Sequence, residues 1–204
     1  PTRRSSDLPT GPSGGPTGAT GPTGPGTIIP AGTNYSDYLY WNGTSYSSGG
    51  PAVHIGSLAG QTTQGPNTVA IGLSAGNSAQ QDSAVAIGNL TGSVNQGNAA
   101  VAIGTASAAS DQGANAIAIG NAAGRFTQGI GAIALGGDAG KTVQGENAIA
   151  IGLEAGRSTQ GIGAVAIGFS AGNSTQQESA VAIGNLAGQN TQGTGAVAIG
   201  FGAG

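Results

Sequence analysis

The sequence predicts an all-β protein whose main part is a parallel β-solenoid. Three observations favour this fold. A glycine recurs every sixteen residues from Gly56 to Gly200, and a fixed short period is typical of architectures in which each repeat forms one turn, or rung. The apolar residues before each glycine alternate instead of recurring at helical spacing. Glycine is also so frequent that a helix would lose about 1 kcal/mol at each interior glycine.

The repeat covers residues 52–204 and has the consensus A-[VI]-A-I-G-x-x-A-G-x-x-x-Q-G-x-x, which predicts about ten rungs. Each rung has room for two short strands and two glycine-containing corners. Ten rungs stacked at the interstrand spacing would form a rod of about 45 to 50 Å. The marker glycines are Gly56, Gly72, Gly88, Gly104, Gly120, Gly136, Gly152, Gly168, Gly184 and Gly200.

The strand before each marker glycine presents two different faces. Val181 and Ile183 point one way, whereas Ala180, Ala182 and Gly184 point the other way, because side chains alternate along a strand. We expect the valine and isoleucine side chains to fill the interior of the solenoid. The thin face of alanine and glycine would then pack against neighbouring chains.

A column of glutamines is the most regular polar feature of the repeat. Stacked at about 4.8 Å, each side-chain amide can donate to the amide on the next rung, which predicts a continuous structural ladder. A row of ligand-binding amides is the functional alternative. The column consists of Gln64, Gln80, Gln96, Gln112, Gln128, Gln144, Gln160, Gln176 and Gln192.

The segments before the repeat have other compositions. Residues 1–8, PTRRSSDL, resemble the translated read-through of a sequencing adapter, so we expect them to be a non-native scar. Residues 9–26 form a collagen-like segment in which glycine holds a three-residue period from Gly15 to Gly24. A flexible, disordered linker is the alternative for this run, and a triple helix would imply three chains. The chain has no methionine and stops inside a repeat, so we expect a fragment truncated at its C-terminus.

Residues 27–51 form an aromatic connector before the first rung. Asn42-Gly43 lies between aromatic residues, which predicts a β-hairpin with a type I′ turn. The aromatic side chains could form an exposed platform that stacks on sugar rings. Alternatively, they could plug the open end of the solenoid, because large aromatic side chains usually bury. The candidate glycan-stacking residues are Tyr38, Tyr40, Trp41 and Tyr46.

The AVAIG and TVAIG cores, followed by x-x-A-G, resemble the head repeats of YadA-like trimeric autotransporter adhesins. The resemblance covers residues 52–204. It implies a left-handed parallel β-roll, three chains packed side by side, and attachment to host cells or matrix. The pairing of collagen-like triplets with these repeats also resembles surface fibre proteins of bacteria, phages and giant viruses. No binding residue of the family maps onto this chain.

The composition argues against several classes of function. The net charge of −3 leaves no basic patch for nucleic acid, and the chain has no cysteine for a disulfide or thiolate site. No apolar run reaches the roughly 18 residues of a membrane span. We expect no enzymatic activity and no cofactor, and we expect the only histidine, His54, to face solvent at the end of the solenoid.

Charged side chains fall into a short surface group rather than a recognisable metal motif. Asp138 and Glu154 stack on adjacent rungs, but the repeat lacks the glycine and aspartate pattern of calcium-binding turns. Arg125, Lys141 and Arg157 also share one column. We expect a solvated edge that discourages lateral aggregation, with an anion site as the alternative.

These observations lead to three functional hypotheses. The first is a structural, adhesive segment of a homotrimeric extracellular, cell-surface or virion-surface fibre, with a host glycan or matrix protein as partner. The second is a structural spacer that binds nothing, and the third is an ice-binding solenoid. The best threonine column for ice is interrupted: it reads Thr63, Ala79, Asn95, Asp111, Thr127, Val143, Thr159, Thr175 and Thr191.

Overall fold

The structure, a computed structural model, describes Gly32 and residues 37–204, and these residues form strands and turns but no helix. The predicted parallel β-solenoid is confirmed, with about nine complete turns. The predicted scar (residues 1–8) and the predicted collagen-like segment (residues 9–26) lie outside the described residues.

A two-stranded hairpin precedes the solenoid, and the rungs that follow build two parallel sheets. The hairpin consists of β1 (Leu39–Trp41) and β2 (Tyr46–Ser48). The ten-stranded aliphatic sheet consists of β3 (Val53–Ile55), β5 (Val69–Ile71), β7 (Val85–Ile87), β9 (Val101–Ile103), β11 (Ile117–Ile119), β13 (Ile133–Leu135), β15 (Ile149–Ile151), β17 (Val165–Ile167), β19 (Val181–Ile183) and β21 (Val197–Ile199). The nine-stranded glutamine sheet consists of β4 (Thr62–Gln64), β6 (Ser78–Gln80), β8 (Val94–Gln96), β10 (Ser110–Gln112), β12 (Thr127–Gln128), β14 (Val143–Gln144), β16 (Thr159–Gln160), β18 (Thr175–Gln176) and β20 (Thr191–Gln192).

The strands of each sheet pair in a register equal to the sequence repeat. Ala118 pairs with Ala134 in the aliphatic sheet, and Gln128 pairs with Gln144 in the glutamine sheet. Each position of the repeat therefore forms a straight column of equivalent residues along the axis. Equivalent positions of successive repeats therefore lie on the same face of the rod.

The interior of the solenoid is lined by alanine, so the predicted orientation of the strands is wrong. Ala118, Ala134 and Ala150 at the centres of their strands are completely buried. The isoleucine and leucine residues on either side of them are only partly buried or exposed, because they point outward. The thin face is the interior, and the broad aliphatic face is the outside.

Tight corners explain why the interior accepts only small side chains from this sheet. At the marker glycine Gly152, φ is +126° and an added Cβ would lie 2.5 Å from the carbonyl oxygen of Gly168 on the next rung. Such a backbone conformation and approach favour glycine. The corner glycine Gly156, with a φ of +53°, faces the interior: an added Cβ would lie 2.8 Å from the Gln160 side-chain oxygen and 3.3 Å from the Ala150 Cβ, so the space between the two sheets is already filled.

Candidate functional site

The predicted hairpin is present, but its turn is shifted by one residue. The Asn42 N–H donates to the Ser45 carbonyl at 3.0 Å, so Gly43 and Thr44 form the centre of the turn. The Asn42 side-chain oxygen accepts the N–H groups of Thr44 and Ser45, each at 2.9 Å. A type I′ turn requires a positive φ at both central residues, and Asn42 does not have one. Asn42 instead lies at the position before the turn centre, where its side chain supports the turn.

Two of the candidate aromatic residues form an exposed pair on this hairpin. Trp41 and Tyr46 face each other across the two strands, with ring centroids 5.4 Å apart and planes at 70°. Their exposed fractions are 58% and 52%. Each ring keeps a surface that is accessible to a ligand, which is the property that stacking on a sugar requires.

The other two candidates, Tyr38 and Tyr40, pack on the end of the solenoid. The Tyr38 hydroxyl donates to the Ala52 carbonyl at 2.9 Å and accepts from the His54 N–H at 2.7 Å. The Tyr40 ring lies 5.9 Å from the His54 ring and nearly perpendicular to it. The plug hypothesis fits this half of the aromatic group, whereas the platform hypothesis fits the exposed half.

His54 occupies the alanine position of the first rung, in register with Ala70, and it does not simply face solvent as expected. The side chain is half-buried, and its Nε2 atom is buried without a hydrogen-bond partner. Burial lowers the pKa of His54, because it disfavours the charged imidazolium. The ring therefore closes the end of the alanine core as a neutral group.

A cleft of about 570 Å³ lies between the hairpin and the first rung. The hairpin contributes Tyr40 and Trp41, and the first rung contributes His54, Leu58 and Gln61. The volume falls within the roughly 300 to 1,000 Å³ of small-molecule sites, and the lining combines aromatic rings with a side-chain amide. This chemistry suits an uncharged ligand with both apolar and hydroxyl faces, such as a sugar ring.

The glutamine column lies inside the solenoid and connects its two sheets, a role that the sequence did not indicate. Gln144 Nε2 donates to the carbonyl of Ile133 in the opposite sheet at 2.7 Å and to that of Ala148 at 3.2 Å. Equivalent bonds to the aliphatic sheet recur along the column. The alternative of a ligand-binding row loses support, because Gln80 and the later members of the column are buried.

The expected ladder between amides forms only in the central part of the column. Four links join Gln112 through to Gln176, at 3.1 to 3.3 Å. On either side it is interrupted, because the Oε1 atoms of Gln80, Gln96, Gln112 and Gln192 are buried without a hydrogen-bond partner. The ladder is therefore shorter than the predicted continuous column.

The charged group forms a small network at one corner. Lys141 Nζ lies 3.1 Å from Asp138, while Arg157 lies 3.8 Å from Asp138 and 3.7 Å from Glu154. Arg125 instead packs over the Phe126 ring at 5.0 Å. The described residues contain no group of three or more histidine, cysteine or acidic side chains that could hold a metal ion.

The threonine column lies on the outer face of the glutamine sheet. Thr127, Thr159 and Thr191 are exposed there, and Val143 interrupts them. The neighbouring column of Arg125, Lys141 and later residues is charged or amide-bearing rather than a second row of threonines. Within residues 37–204, this face lacks the flat, regular threonine array that the ice-binding hypothesis needs.

The comparisons with known proteins give no assignment: no family model, curated protein or solved structure matches the chain. The likeness to YadA-like head repeats thus stays a prediction based on the AVAIG motif. Within the part of the chain that the structure describes, no helix is long and apolar enough to cross a bilayer.

Proposed function

We propose that this chain is a structural, adhesive segment of a homotrimeric fibre on a cell or virion surface. The observation that carries the proposal is the outer face of the aliphatic sheet. Two outward positions in each of its ten strands hold only valine, isoleucine or leucine. Parallel sheets are normally covered on both faces, so a parallel sheet with one uncovered aliphatic face is incomplete as a monomer.

A second copy of the chain is the partner that best fits this face. The aliphatic columns run the length of the solenoid without a charged residue, and a copy offers a face of equal length and equal spacing. Contiguous apolar surfaces of this extent mark interaction sites in soluble proteins. The number three rests on the predicted collagen-like segment and on the resemblance to trimeric adhesins.

Trimer formation is tested by sedimentation equilibrium of the wild type and of two matched variants. Ile151→Asp places a charge on the outer face of the aliphatic sheet, and Thr159→Asp places one on the outer face of the glutamine sheet. We expect three times the monomer mass for the wild type and for Thr159→Asp, and a monomer for Ile151→Asp. A folded monomeric wild type would overturn the trimer.

The adhesive part of the proposal rests on the exposed pair of Trp41 and Tyr46 beside the cleft. We expect the chain to bind neutral members of an oligosaccharide array, and we expect Trp41→Ala to abolish binding. Phe169→Ala is the matched control, because Phe169 is an exposed aromatic residue far along the solenoid. A trimer without any glycan binding would favour the spacer hypothesis instead.

A further inference from the structure

The first strand of the aliphatic sheet, β3, has backbone groups that no strand pairs with. The Val53 N–H donates to Thr68 on the next rung at 2.8 Å, and the same bond recurs between Val69 and Ala84 at 3.0 Å. In this register the carbonyl before each strand accepts a bond from the preceding rung. Along a strand, successive N–H groups point to opposite sides, and the Val53 N–H points towards the next rung. The His54 N–H and the Ala52 carbonyl therefore point the other way, to the side of β3 on which no strand pairs with it.

The Tyr38 hydroxyl occupies that position and satisfies both groups. It donates to the Ala52 carbonyl and accepts the His54 N–H, which uses the single donor of a tyrosine hydroxyl and one of its acceptor sites. The hairpin holds the ring in place, because the Gly49 N–H donates to the Tyr38 carbonyl. Gly49 also lies flat against the ring, where a Cβ would overlap it.

We propose that Tyr38 caps the solenoid at β3 and prevents a strand of a second copy from pairing there. In the chain of residues 1–204, the competing strand is β21, the last strand that the structure describes. The Val181 N–H of the preceding rung donates to Ala196 at 2.8 Å, and by the same register the Val197 N–H of another copy would donate to Ala52. This is the carbonyl that Tyr38 occupies, so the cap and the incoming strand exclude each other.

Unprotected sheet edges are templates for strand addition, and repeat proteins need capping ends. In this chain the cap is one hydroxyl group, which Tyr38 places on two backbone atoms from the position directly before β1. End-to-end growth of the solenoid is therefore controlled at Tyr38, separately from any association through the aliphatic face.

The test compares Tyr38→Phe with Tyr46→Phe, a matched loss of hydroxyl from an exposed ring of the same hairpin. In Tyr38→Phe we expect the His54 amide to exchange hydrogen about tenfold faster, because its hydrogen bond is lost. We also expect species longer than those of the wild type to appear as concentration rises in sedimentation velocity. Tyr46→Phe should match the wild type in both measurements.

A second variant shows whether growth uses β21. Tyr38→Phe combined with Val197→Pro lacks the N–H that would reach Ala52, so the longer species should disappear. Unchanged exchange at His54 in Tyr38→Phe would overturn the cap. Faster exchange without longer species, or longer species that survive Val197→Pro, would overturn the block on strand addition. These outcomes do not depend on whether the wild type is a trimer or binds glycans.

Discussion

The inner and outer faces of the aliphatic sheet belong to the same strands but obey different constraints. On the inner face, alanine fills nine consecutive positions from Ala70 to Ala198, all of them buried. On the outer face, larger aliphatic residues remain partly accessible, and Ile199 on the last strand is 65% exposed. Large aliphatic side chains are usually the ones inside a protein. The interior reverses this preference here, because corner glycines such as Gly156 and the glutamine side chains fill the space opposite the alanines.

The side chains that lie opposite the alanines add to the difference between the inner and outer faces. The glutamine sheet contributes amide side chains. The core is therefore held together by contacts between small side chains and by hydrogen bonds, rather than by the packing of large apolar side chains. Unsatisfied buried polar groups are costly, and closely packed interiors resist added volume. The inner face should therefore be sensitive to both size and polarity. The outer face should tolerate change until another molecule covers it.

Removing one interior glutamine should have the largest effect on stability. Gln144→Ala leaves a cavity and leaves the carbonyls of Ile133 and Ala148 without their amide partner. We expect the free energy of unfolding in urea to fall by about 4 kcal/mol. Thr159→Ala, on the outer face of the same sheet, should change it by less than about 0.5 kcal/mol. Similar losses in both variants would contradict the assignment of faces.

Enlarging the inner face should have the next largest effect. Ala134→Leu inserts three carbon atoms between the sheets, and we expect a loss of about 2 to 3 kcal/mol in the same urea experiment. The matched outer change, Ile133→Leu, conserves volume at a partly exposed position and should cost less than about 1 kcal/mol. If Ile133→Leu proved the more damaging variant, the aliphatic face would be the true interior.

The solenoid itself could be predicted from the sequence, whereas the direction of its faces could not. A sixteen-residue period aligns equivalent residues into columns whichever face points inward. The order Val-Ala-Ile is compatible with either orientation, and only the close packing of the interior at corner glycines such as Gly156 decides between them. One signal was available: the inward position is always alanine from Ala70 onward, while the outward positions vary among valine, isoleucine and leucine.

The candidate site shows the same division. The aromatic composition and the Asn42-Gly43 sequence predicted a hairpin, because these features act locally. The separation into an exposed pair and a packed pair depends on where the hairpin lies against β3, a contact between distant segments. The role of Tyr38 could not be predicted either, because it depends on which backbone groups of Ala52 and His54 are left unpaired.

We expect the smallest effect on stability from His54, the titratable side chain that ends the inner column of alanines. Burial lowers the pKa of His54 from its ordinary value of 6.5, so the unfolded chain binds a proton more readily than the folded chain. Stability should be highest above about pH 6.5 and should decrease as the pH falls through that value towards the lower pKa of the folded state.

Thermal unfolding between pH 7.5 and 5.5 measures this loss above the range in which ordinary carboxyl groups titrate. His54→Ala restores the alanine of the other rungs and should remove the pH dependence. An equal decrease in His54→Ala would assign the pH dependence to another group. A decrease confined to the wild type would show that the inner column excludes charge even at its open end.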